Sequence, residues 1–518
     1  MDNQALVVGG GHNGLTCAAY LAKAGVDVLV LEARSTVGGC ASTVDELGAR
    51  FNICNCDHVL VRATPVLEEL DLPRHGLRYL DLEPHLLALS WDGIAPWFGF
   101  NGVESTLTSL RHSHPSEVEA YRRYCQEAIP VAELLAAITQ TIPTPRRILK
   151  RIVERKGRGM TNLLRWNRMS AEQVLRAFFT DEAIIAPALV MAPAVWGVAP
   201  NTPGTGLGAL AYAFRHVVAP GRPVGGSGAL PAALTAALEG FGGRVRCSAT
   251  VARLLVEKDV VRGVALTDGE VIEASVVVSA TDPRRTFVDW LGEPSPPMAA
   301  LAARWRTRPQ PQGYESKVDA VVSELPRYRG LDSGTLDRHG VSEPLIPTAI
   351  ISPPAAGISA AHSLLGRGQV ADLPMLFVNF PSVLDPSVRP SDHEHVFSLE
   401  TLFTPFALDG GWGESPEPAR WLACYGELVE EGFLEGVSRS RVMTPSDYEA
   451  QFGLTSGYAP SFTGGPLAAL IGREPELTRY RTPIKGLYLT GAGTFPGAGI
   501  WGASGRNTAE VVLSGLNR

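Results

Sequence analysis

Three glycines near the start of the chain have the spacing of a dinucleotide-binding turn. Gly9, Gly11 and Gly14 fit the pattern G-x-G-x-x-G. In such a turn the backbone approaches a pyrophosphate closely, and the anion lies on the N-terminus of the following helix. Glu32 lies 18 residues beyond Gly14, at the position where an acidic side chain binds ribose hydroxyls. These residues predict a bound dinucleotide whose adenosine ribose is unphosphorylated.

The elements predicted around this turn agree with that chemistry. An apolar strand is predicted over 5–8, a helix over 15–24 and a second apolar strand over 28–31. Arg34 and the pair Gly38-Gly39 follow, and they suit a further pyrophosphate contact. We favour this interpretation over an ordinary tight turn, because the strand, helix, acid and spacing occur together.

A second glycine-rich segment lies near the C-terminus. Gly497, Gly499 and Gly502 also match G-x-G-x-x-G, but only 16 residues follow Gly502, too few for a second nucleotide unit. The pattern instead predicts a strand over 486–490, a glycine loop, and a helix that begins near Gly502 or Ala503. The N-terminus of such a helix stabilises negative charge on a flavin ring. One ligand long enough to touch both segments would explain both.

Several motifs together resemble those of a known family. They are V-x-G-G-G-x-N-G-L and E-x-R-x-x-x-G-G near the N-terminus, G-S-G-A-L at 226–230, V-V-V-S-A-T-D-P at 276–283, and G-L-Y-L-T-G-A-G-T-x-P-G-x-G near the C-terminus. The combination resembles the FAD-dependent phytoene desaturase superfamily, and most of all the branch named after pyridine nucleotide-disulfide oxidoreductase domain-containing proteins. The resemblance spans nearly all 518 residues. It implies an α/β fold, with a Rossmann-type FAD-binding domain, a β-meander and an inserted α+β substrate domain.

The resemblance also implies which residues contact FAD. They are Gly9, Gly11, His12, Asn13 and Gly14 at the pyrophosphate, Glu32, Ala33 and Arg34 at the adenosine, the pair Gly38 and Gly39, Val251 beside adenine, Gly491, Ala492 and Gly493 at the ribityl chain and diphosphate, and Gly502 and Ala503 at the flavin ring. Ala492 stands where many flavoproteins have aspartate, and Phe495 stands where a histidine is frequent. Phe495 and Trp501 are the candidates for facing the ring at the catalytic position, and core packing is the alternative for both.

The order of these segments implies a folded-back chain. The FAD-binding domain is predicted from 1–90, 215–295 and 480–518, and the substrate domain from 91–214 and 296–479. A length of 518 residues with 45% apolar content is enough for more than one core. The net charge of −7 argues against nucleic acid as a partner. No secretory signal precedes the first strand, so we expect a cytoplasmic protein.

Two stretches of the sequence concern possible binding partners of the protein. Residues 146–168 hold nine basic residues and one acid, Glu154, and they predict a basic amphipathic helix. Such a helix suits peripheral contact with an anionic membrane, and a solvated face is the equal alternative. Residues 183–214 carry no charge, but their prolines and glycines disfavour a transmembrane span. We interpret this uncharged stretch as a wall of an apolar substrate cavity or as core.

No residue pattern indicates metal or nucleophilic catalysis. Cys54 and Cys56 are interpreted as packed or free thiols, and the pairs Asp57-His58 and Arg215-His216 as ordinary polar residues. Hydride transfer to a flavin requires an oriented substrate and the exclusion of water, and it requires neither a metal site nor a catalytic nucleophile. We therefore expect one FAD per chain and no dedicated NAD(P)H site.

The expected activity is that of an FAD-dependent oxidoreductase, of the desaturase or dehydrogenase type. It would desaturate or saturate a carbon–carbon bond of a largely apolar small-molecule substrate by hydride transfer at flavin N5. Three alternatives stay open: a flavin-dependent isomerase without net redox, an amine or alcohol oxidase on the same scaffold, and a flavin-binding protein without turnover. The sequence leaves the substrate, the electron acceptor and the oligomeric state open.

Overall fold

The computed structural model describes residues 3–54, 56–292, 296–310, 312–459, 461–462 and 464–516. Its strands are β1 (Asn3–Val8), β2 (Val28–Leu31), β3 (Thr43–Glu46), β4 (Ala49–Asn52), β5 (Tyr79–Asp81), β6 (Leu86–Ser90), β7 (Trp97–Gly99), β8 (Gly221–Pro223), β9 (Arg244–Arg246), β10 (Val251–Glu257), β11 (Val260–Leu266), β12 (Val271–Ser279), β13 (Gly313–Val322), β14 (Thr348–Ser352), β15 (Leu376–Asn379), β16 (His395–Pro405), β17 (Val437–Met443) and β18 (Leu487–Leu489).

The helices cover both sheets and build a separate helical layer. They are α1 (His12–Lys23), α2 (Val66–Glu69), α3 (Val103–Ser113), α4 (Val118–Thr139), α5 (Pro145–Glu154), α6 (Met160–Trp166), α7 (Ala171–Arg176), α8 (Glu182–Met191), α9 (Ala211–Val217), α10 (Ala229–Gly240), α11 (Pro296–Thr307), α12 (Ser333–His339), α13 (Ala355–Leu365), α14 (Pro381–Leu384), α15 (Glu417–Gly426), α16 (Pro445–Phe452), α17 (Gly465–Ile471), α18 (Pro475–Thr478) and α19 (Ala503–Leu516). Among the described helices, none is both long and apolar enough to cross a membrane.

The first sheet is a Rossmann-type sheet joined to a meander. Its strand order is β10-β11-β12-β1-β2-β9, and β18 pairs with β12. The pairs β1 with β2, β1 with β12, β2 with β9 and β12 with β18 are parallel. β12 serves both parts, because its start pairs antiparallel with β11 and its end pairs with β1. Strands from three separated parts of the chain thus share this sheet. The residue bounds given above for the two domains remain a prediction.

The predicted elements around the two glycine segments are present. α1 and α19 pack on the same side of the Rossmann sheet, where Leu15, Ala19, Ala509 and Val512 belong to one buried apolar cluster. α1 has small apolar residues on its buried face, which allows α19 to approach closely. The predicted mixed α/β fold is therefore confirmed.

The second sheet has the order β17-β13-β16-β15-β14-β6-β7. Lys317 pairs with Glu400, Glu400 with Phe377, and Phe377 with Ile350 across its central strands. Because paired residues of neighbouring strands point to the same face, this register places the charged residues Lys317 and Glu400 beside the apolar residues Phe377 and Ile350. That face forms the floor of the cavity described below.

The single basic helix predicted over 146–168 is wrong. The stretch forms two helices, α5 and α6, separated by a turn. Lys156, Gly157 and Gly159 have φ values of +53°, +71° and +78°, a left-handed conformation that ends a helix and that glycine adopts at low cost. A side chain at Gly159 would also collide with the Pro130 carbonyl of α4.

Candidate functional site

A cavity of about 1030 Å³ runs between the Rossmann sheet and the second sheet. Both glycine segments contribute to its wall, through Gly9, Gly11 and Gly14 at one place and Gly491, Gly499 and Trp501 at another. Its volume lies at the upper end of the range for small-molecule and cofactor sites. The two segments therefore face one common space, as a ligand that touches both requires.

The N-terminus of α1 is built to receive an anion. Gly11 is the N-cap residue, and no side chain caps the free N–H groups of the first turn. A side chain at Gly14 would collide with the Gly9 carbonyl oxygen, whereas a Cβ at Gly11 would meet nothing within 4 Å. Glycine is thus needed at 14 for the turn itself, and position 11 is open toward the cavity.

Glu32 is held rigidly at the end of β2. Its Oε2 accepts a hydrogen bond from the Gly10 amide at 2.7 Å, and its Oε1 accepts one from the Arg34 amide at 2.9 Å. Since each carboxylate oxygen accepts two hydrogen bonds, one site on each oxygen remains for a ribose hydroxyl. The carboxylate lines the cavity and is oriented before any ligand binds.

Arg34 stands beside the same end of the cavity. Its guanidinium lies over the Phe452 ring, 4.2 Å from the centroid, and donates a hydrogen bond to the Ser42 hydroxyl at 3.0 Å. A cation stacked on a ring in this way has a fixed position with N–H groups to spare.

Most of the predicted site residues lie on the cavity wall. Those that line it are Gly9, Gly11, His12, Asn13, Gly14, Glu32, Ala33, Arg34, Gly38, Gly39, Val251, Gly491, Ala492, Phe495 and Trp501. Gly493, Gly502 and Ala503 do not. A Cβ at Gly502 would point at Thr16 and Val66, and Ala503 is buried at the start of α19. Gly502 and Ala503 thus lie at the start of α19, beside α1 and away from the cavity wall.

His12 connects the two glycine segments. It lies in the first turn of α1 and interacts with the backbone of Gly499. Burial lowers its pKa to about 4, and the Gly499 backbone opposes part of that shift. The imidazole is therefore neutral at pH 7, so the positive potential at the pyrophosphate position comes from the α1 N-terminus and Arg34.

The two ring-facing candidates have different surroundings. Trp501 donates its indole N–H to the Ala498 carbonyl at 3.0 Å and packs edge-on against Phe214, with 6.5 Å between ring centroids. Phe495 packs edge-on against Phe462 at 6.0 Å and belongs to the helical-layer core. Trp501 thus bridges the glycine loop to α9 across the cavity wall.

The sequence analysis missed two glutamates on the cavity floor. Glu315 on β13 and Glu400 on β16 both line the cavity and share a hydrogen bond. Burial raises the pKa of Glu315, and burial together with the charge of Glu315 holds the pKa of Glu400 well above its ordinary value. Lys317 opposes these shifts only in part, because its ammonium pairs with Asp319 at 3.0 Å.

The spacing of charged residues in the sequence could have indicated a charged face on β13. Glu315, Lys317 and Asp319 alternate along β13, which indicates a strand with one charged face. Such alternation ordinarily marks the solvent side of a sheet, so the sequence alone would have placed the charges outward. The structure buries that face under the cavity and the β3–β4 hairpin.

A basic group occupies the opposite edge of the floor. Arg215 of α9 lines the cavity together with His85, which precedes β6, and Asp57. Asp57 pairs with Arg222 at 2.7 Å and accepts a hydrogen bond from Thr348 at 2.5 Å. The interpretation of Asp57-His58 and Arg215-His216 as ordinary polar residues misses that Asp57, His58 and Arg215 all face the cavity.

The uncharged stretch 183–214 forms much of the remaining wall. Met191, Val195, Leu207, Leu210 and Phe214 from this stretch line the cavity. α8 is buried throughout in the helical-layer core, which holds the loop that follows it in place. The substrate side of the cavity is therefore mainly apolar.

The cysteines are free thiols in the described part of the chain. Cys56 donates to the Asp57 carboxylate at 3.3 Å, and Cys54 and Cys40 share a hydrogen bond on the cavity wall. Within the described residues, no group of three or more His, Cys, Asp or Glu side chains is placed to hold a metal ion.

Comparison with known proteins gives homologues along the whole chain. Residues 7–61 match the family described as NAD(P)-binding Rossmann-like domain. The chain is 28% identical over 561 residues to pyridine nucleotide-disulfide oxidoreductase domain-containing protein 2 of Rattus norvegicus, covering 99% of this chain and 94% of that protein. It is 24% identical over 526 residues to a lycopene-forming phytoene desaturase of Paracoccus sp., covering 99% and 97%.

Among solved structures, the cyclohexylamine oxidase of Brevibacterium oxydans aligns with a TM-score of 0.60 and 15% identity, covering 100% of both chains. At that identity the likeness shows the fold alone. The homologues confirm the resemblance drawn from the motifs and the expected enzyme class, an oxidoreductase.

Proposed function

We propose that this chain, a homologue of phytoene desaturases, binds one FAD and desaturates or saturates a carbon–carbon bond of a largely apolar substrate. The observation that carries the proposal is the continuity of the cavity. It extends from the α1 N-terminus and Glu32 to the apolar wall built by residues 191–214. One end of the cavity suits a nucleotide and the other end is apolar. Such a cavity suits a cofactor whose reactive ring contacts an apolar substrate.

The residues present fit FAD. The uncapped first turn of α1 with Arg34 beside it suits a pyrophosphate, and the two free acceptor sites on Glu32 suit the ribose hydroxyls. The second glycine segment, with Gly491 and Ala492 on the wall, extends the polar part of the site beyond what an isolated dinucleotide turn provides. When bound, the flavin supplies hydride transfer at N5.

This chain's own residues would orient the substrate and exclude water. Trp501 and Phe214 give a rigid aromatic corner, and Met191 and Leu210 give apolar contact. A reacting carbon held in place by such a wall gains rate through positioning, because misplacement by about 1 Å can cost on the order of a hundredfold.

The first experiment is cofactor analysis of the purified protein. The expected result is one FAD per chain after denaturation, without stoichiometric NAD(P). Recovery of FMN, or of tightly bound NADP alone, would contradict the cofactor assignment.

The second experiment separates the activities. Under anaerobic conditions, desaturation should reduce the oxidised flavin, whereas saturation should oxidise the previously reduced flavin. In either case the product should differ from the substrate by one carbon–carbon double bond. An isomeric product with no net change in the redox state of the flavin would indicate an isomerase, and an imine or carbonyl product would indicate an oxidase. Either outcome would overturn the proposed reaction while leaving the FAD site intact.

A further inference from the structure

Two cysteines lie together on the wall of the cavity. Cys40 follows the pair Gly38-Gly39, and Cys54 lies two residues beyond the end of β4. The β3–β4 hairpin joins them, and a hydrogen bond from the Ile53 amide to the Ser42 carbonyl at 3.0 Å holds its open end together. The two thiols share a hydrogen bond, so small side-chain rotations would bring the sulfurs to a disulfide bond length of about 2 Å.

The surroundings of the two thiols differ. The hydrogen bond from Cys54 lowers the pKa of Cys40, while burial opposes this shift and the charge of Arg34 supports it. The same hydrogen bond, together with burial and the charge of Glu315, holds the pKa of Cys54 well above its ordinary value. Because the thiolate is the reactive form of cysteine, Cys40 is the more reactive thiol of the pair and Cys54 is the thiol that keeps its proton.

The cysteine pair lies between the two ends of the cavity. Cys40 adjoins the glycines that suit a pyrophosphate contact, and Cys54 is within hydrogen-bond distance of Glu315 on the cavity floor. A dinucleotide with its pyrophosphate at the N-terminus of α1 extends its second ring away from Glu32, toward the apolar side of the cavity. The two thiols therefore line the part of the cavity that suits the flavin ring.

We propose that Cys40 and Cys54 form a reversible disulfide bond that exchanges electrons with the bound flavin. As the S–S bond forms, the two thiols lose two electrons and two protons. The oxidised flavin takes up both electrons and one proton, and the second proton passes to the Glu315–Glu400 pair. The reverse step returns the electron pair to the disulfide. This inference rests on the FAD assignment of the proposed function and adds a second redox centre to it, whatever the substrate is.

The first test counts thiols in the holoenzyme purified in air. The chain has seven cysteines, so alkylation of the denatured, unreduced protein should label five thiols, two fewer than after reduction. Mass spectrometry of the peptides should find Cys40 joined to Cys54. Seven labelled thiols in the air-exposed protein, or a disulfide between other cysteines, would overturn the proposal. This count needs no variant and so does not depend on the folding of one.

Anaerobic titration with dithionite then tests the exchange with the flavin. The wild-type holoenzyme should take up four electrons per FAD, because the flavin and the disulfide each accept two. Cys40→Ser and Cys54→Ser should each take up two. Cys424→Ser, on α15 and outside the lining of the cavity, is the matched control and should take up four. Uptake of only two electrons by the wild type would overturn the proposal.

The outcomes separate this inference from the proposed function. The FAD content and the product of turnover are measured independently of the thiols. Uptake of four electrons without a change in a carbon–carbon double bond would retain the disulfide and contradict the proposed reaction. A double-bond product with uptake of only two electrons would contradict the disulfide alone. If a serine variant loses FAD, the thiol and electron counts of the wild type decide.

Discussion

At the scale of single residues, Glu32 has two roles, and both depend on its carboxylate. It accepts from two backbone amides, and it presents its free acceptor sites to the cavity. Glu32→Ala should weaken FAD binding by about 1.5–3 kcal/mol, as for hydrogen bonds to a charged group. The apoprotein titrated with FAD should show a dissociation constant raised about tenfold or more.

The matched control for Glu32 is Glu324→Ala, an exposed acid outside the cavity. It should retain FAD with wild-type affinity. Unchanged FAD affinity in the Glu32 variant would show that this carboxylate serves only to fix the turn around Gly10.

Trp501 is the residue where packing and positioning must be told apart. Its indole N–H closes the glycine loop onto Ala498, and its ring packs on Phe214. Trp501→Ala should keep bound FAD and most of the thermal stability but slow flavin reduction by substrate, on the order of a hundredfold. Stopped-flow reduction of the holoenzyme measures this rate.

Trp501→Phe keeps an aromatic wall and should recover most of the reduction rate. If Trp501→Ala expels FAD while the remaining holoenzyme is reduced normally, Trp501 is a packing residue and the predicted catalytic position of this loop is wrong.

At the scale of elements, the sequence predicted best where local chemistry determines structure. The strand, turn and helix around Gly9 to Glu32 follow from glycine spacing and apolar periodicity, and β18 and α19 follow from the same signals. The break between α5 and α6 was missed because the helix was predicted from charge and apolar pattern, whereas Gly157 and Gly159 in left-handed conformations end α5. The cavity floor was missed because which face of β13 is buried depends on elements far away in the chain.

The basic segment is still predicted to contact anionic membranes, now through α5 alone. Leu149 and Val153 are 59% and 66% exposed on a helix whose neighbours are basic. Several of the arginines are engaged, since Arg147 pairs with Glu510 and Arg155 with Glu133, so fewer charges face outward than the sequence implies. We expect binding to vesicles with anionic lipid, weakened by salt.

Co-sedimentation with anionic and neutral vesicles checks this expectation. Replacement of both Leu149 and Val153 by Ser should reduce recovery with the anionic vesicles, because it removes the exposed apolar contact without changing charge. Equal recovery with the two kinds of vesicle would mean that the exposed face of α5 contacts only solvent and does not bind anionic membranes.

At the scale of the whole molecule, the Glu315–Glu400 pair couples the cavity to the global stability of the fold. It joins β13 and β16, which are neighbouring interior strands of the second sheet. Burial raises the pKa of both acids, and the neighbouring Lys317 opposes this only in part, since it is paired with Asp319. Between the ordinary glutamate pKa and the raised values, the folded chain therefore binds more protons than the unfolded chain.

The contribution of the pair to the free energy of unfolding should consequently fall as the pH rises through that interval, because stability falls with pH wherever the folded state holds the extra protons. Glu400→Gln removes the second acid at nearly constant volume, so the slope of its unfolding free energy against pH should be more positive than that of the wild type over the same interval. Denaturant unfolding of wild type and variant at pH values from about 4.5 upward measures both slopes. Asp282 and Glu83 have raised pKa values, and buried histidines such as His12, His58 and His85 have lowered pKa values that contribute with the opposite sign. All of these groups are present in both proteins, so the difference between the slopes reports the pair. Parallel slopes would show that the two acids do not titrate as a buried pair.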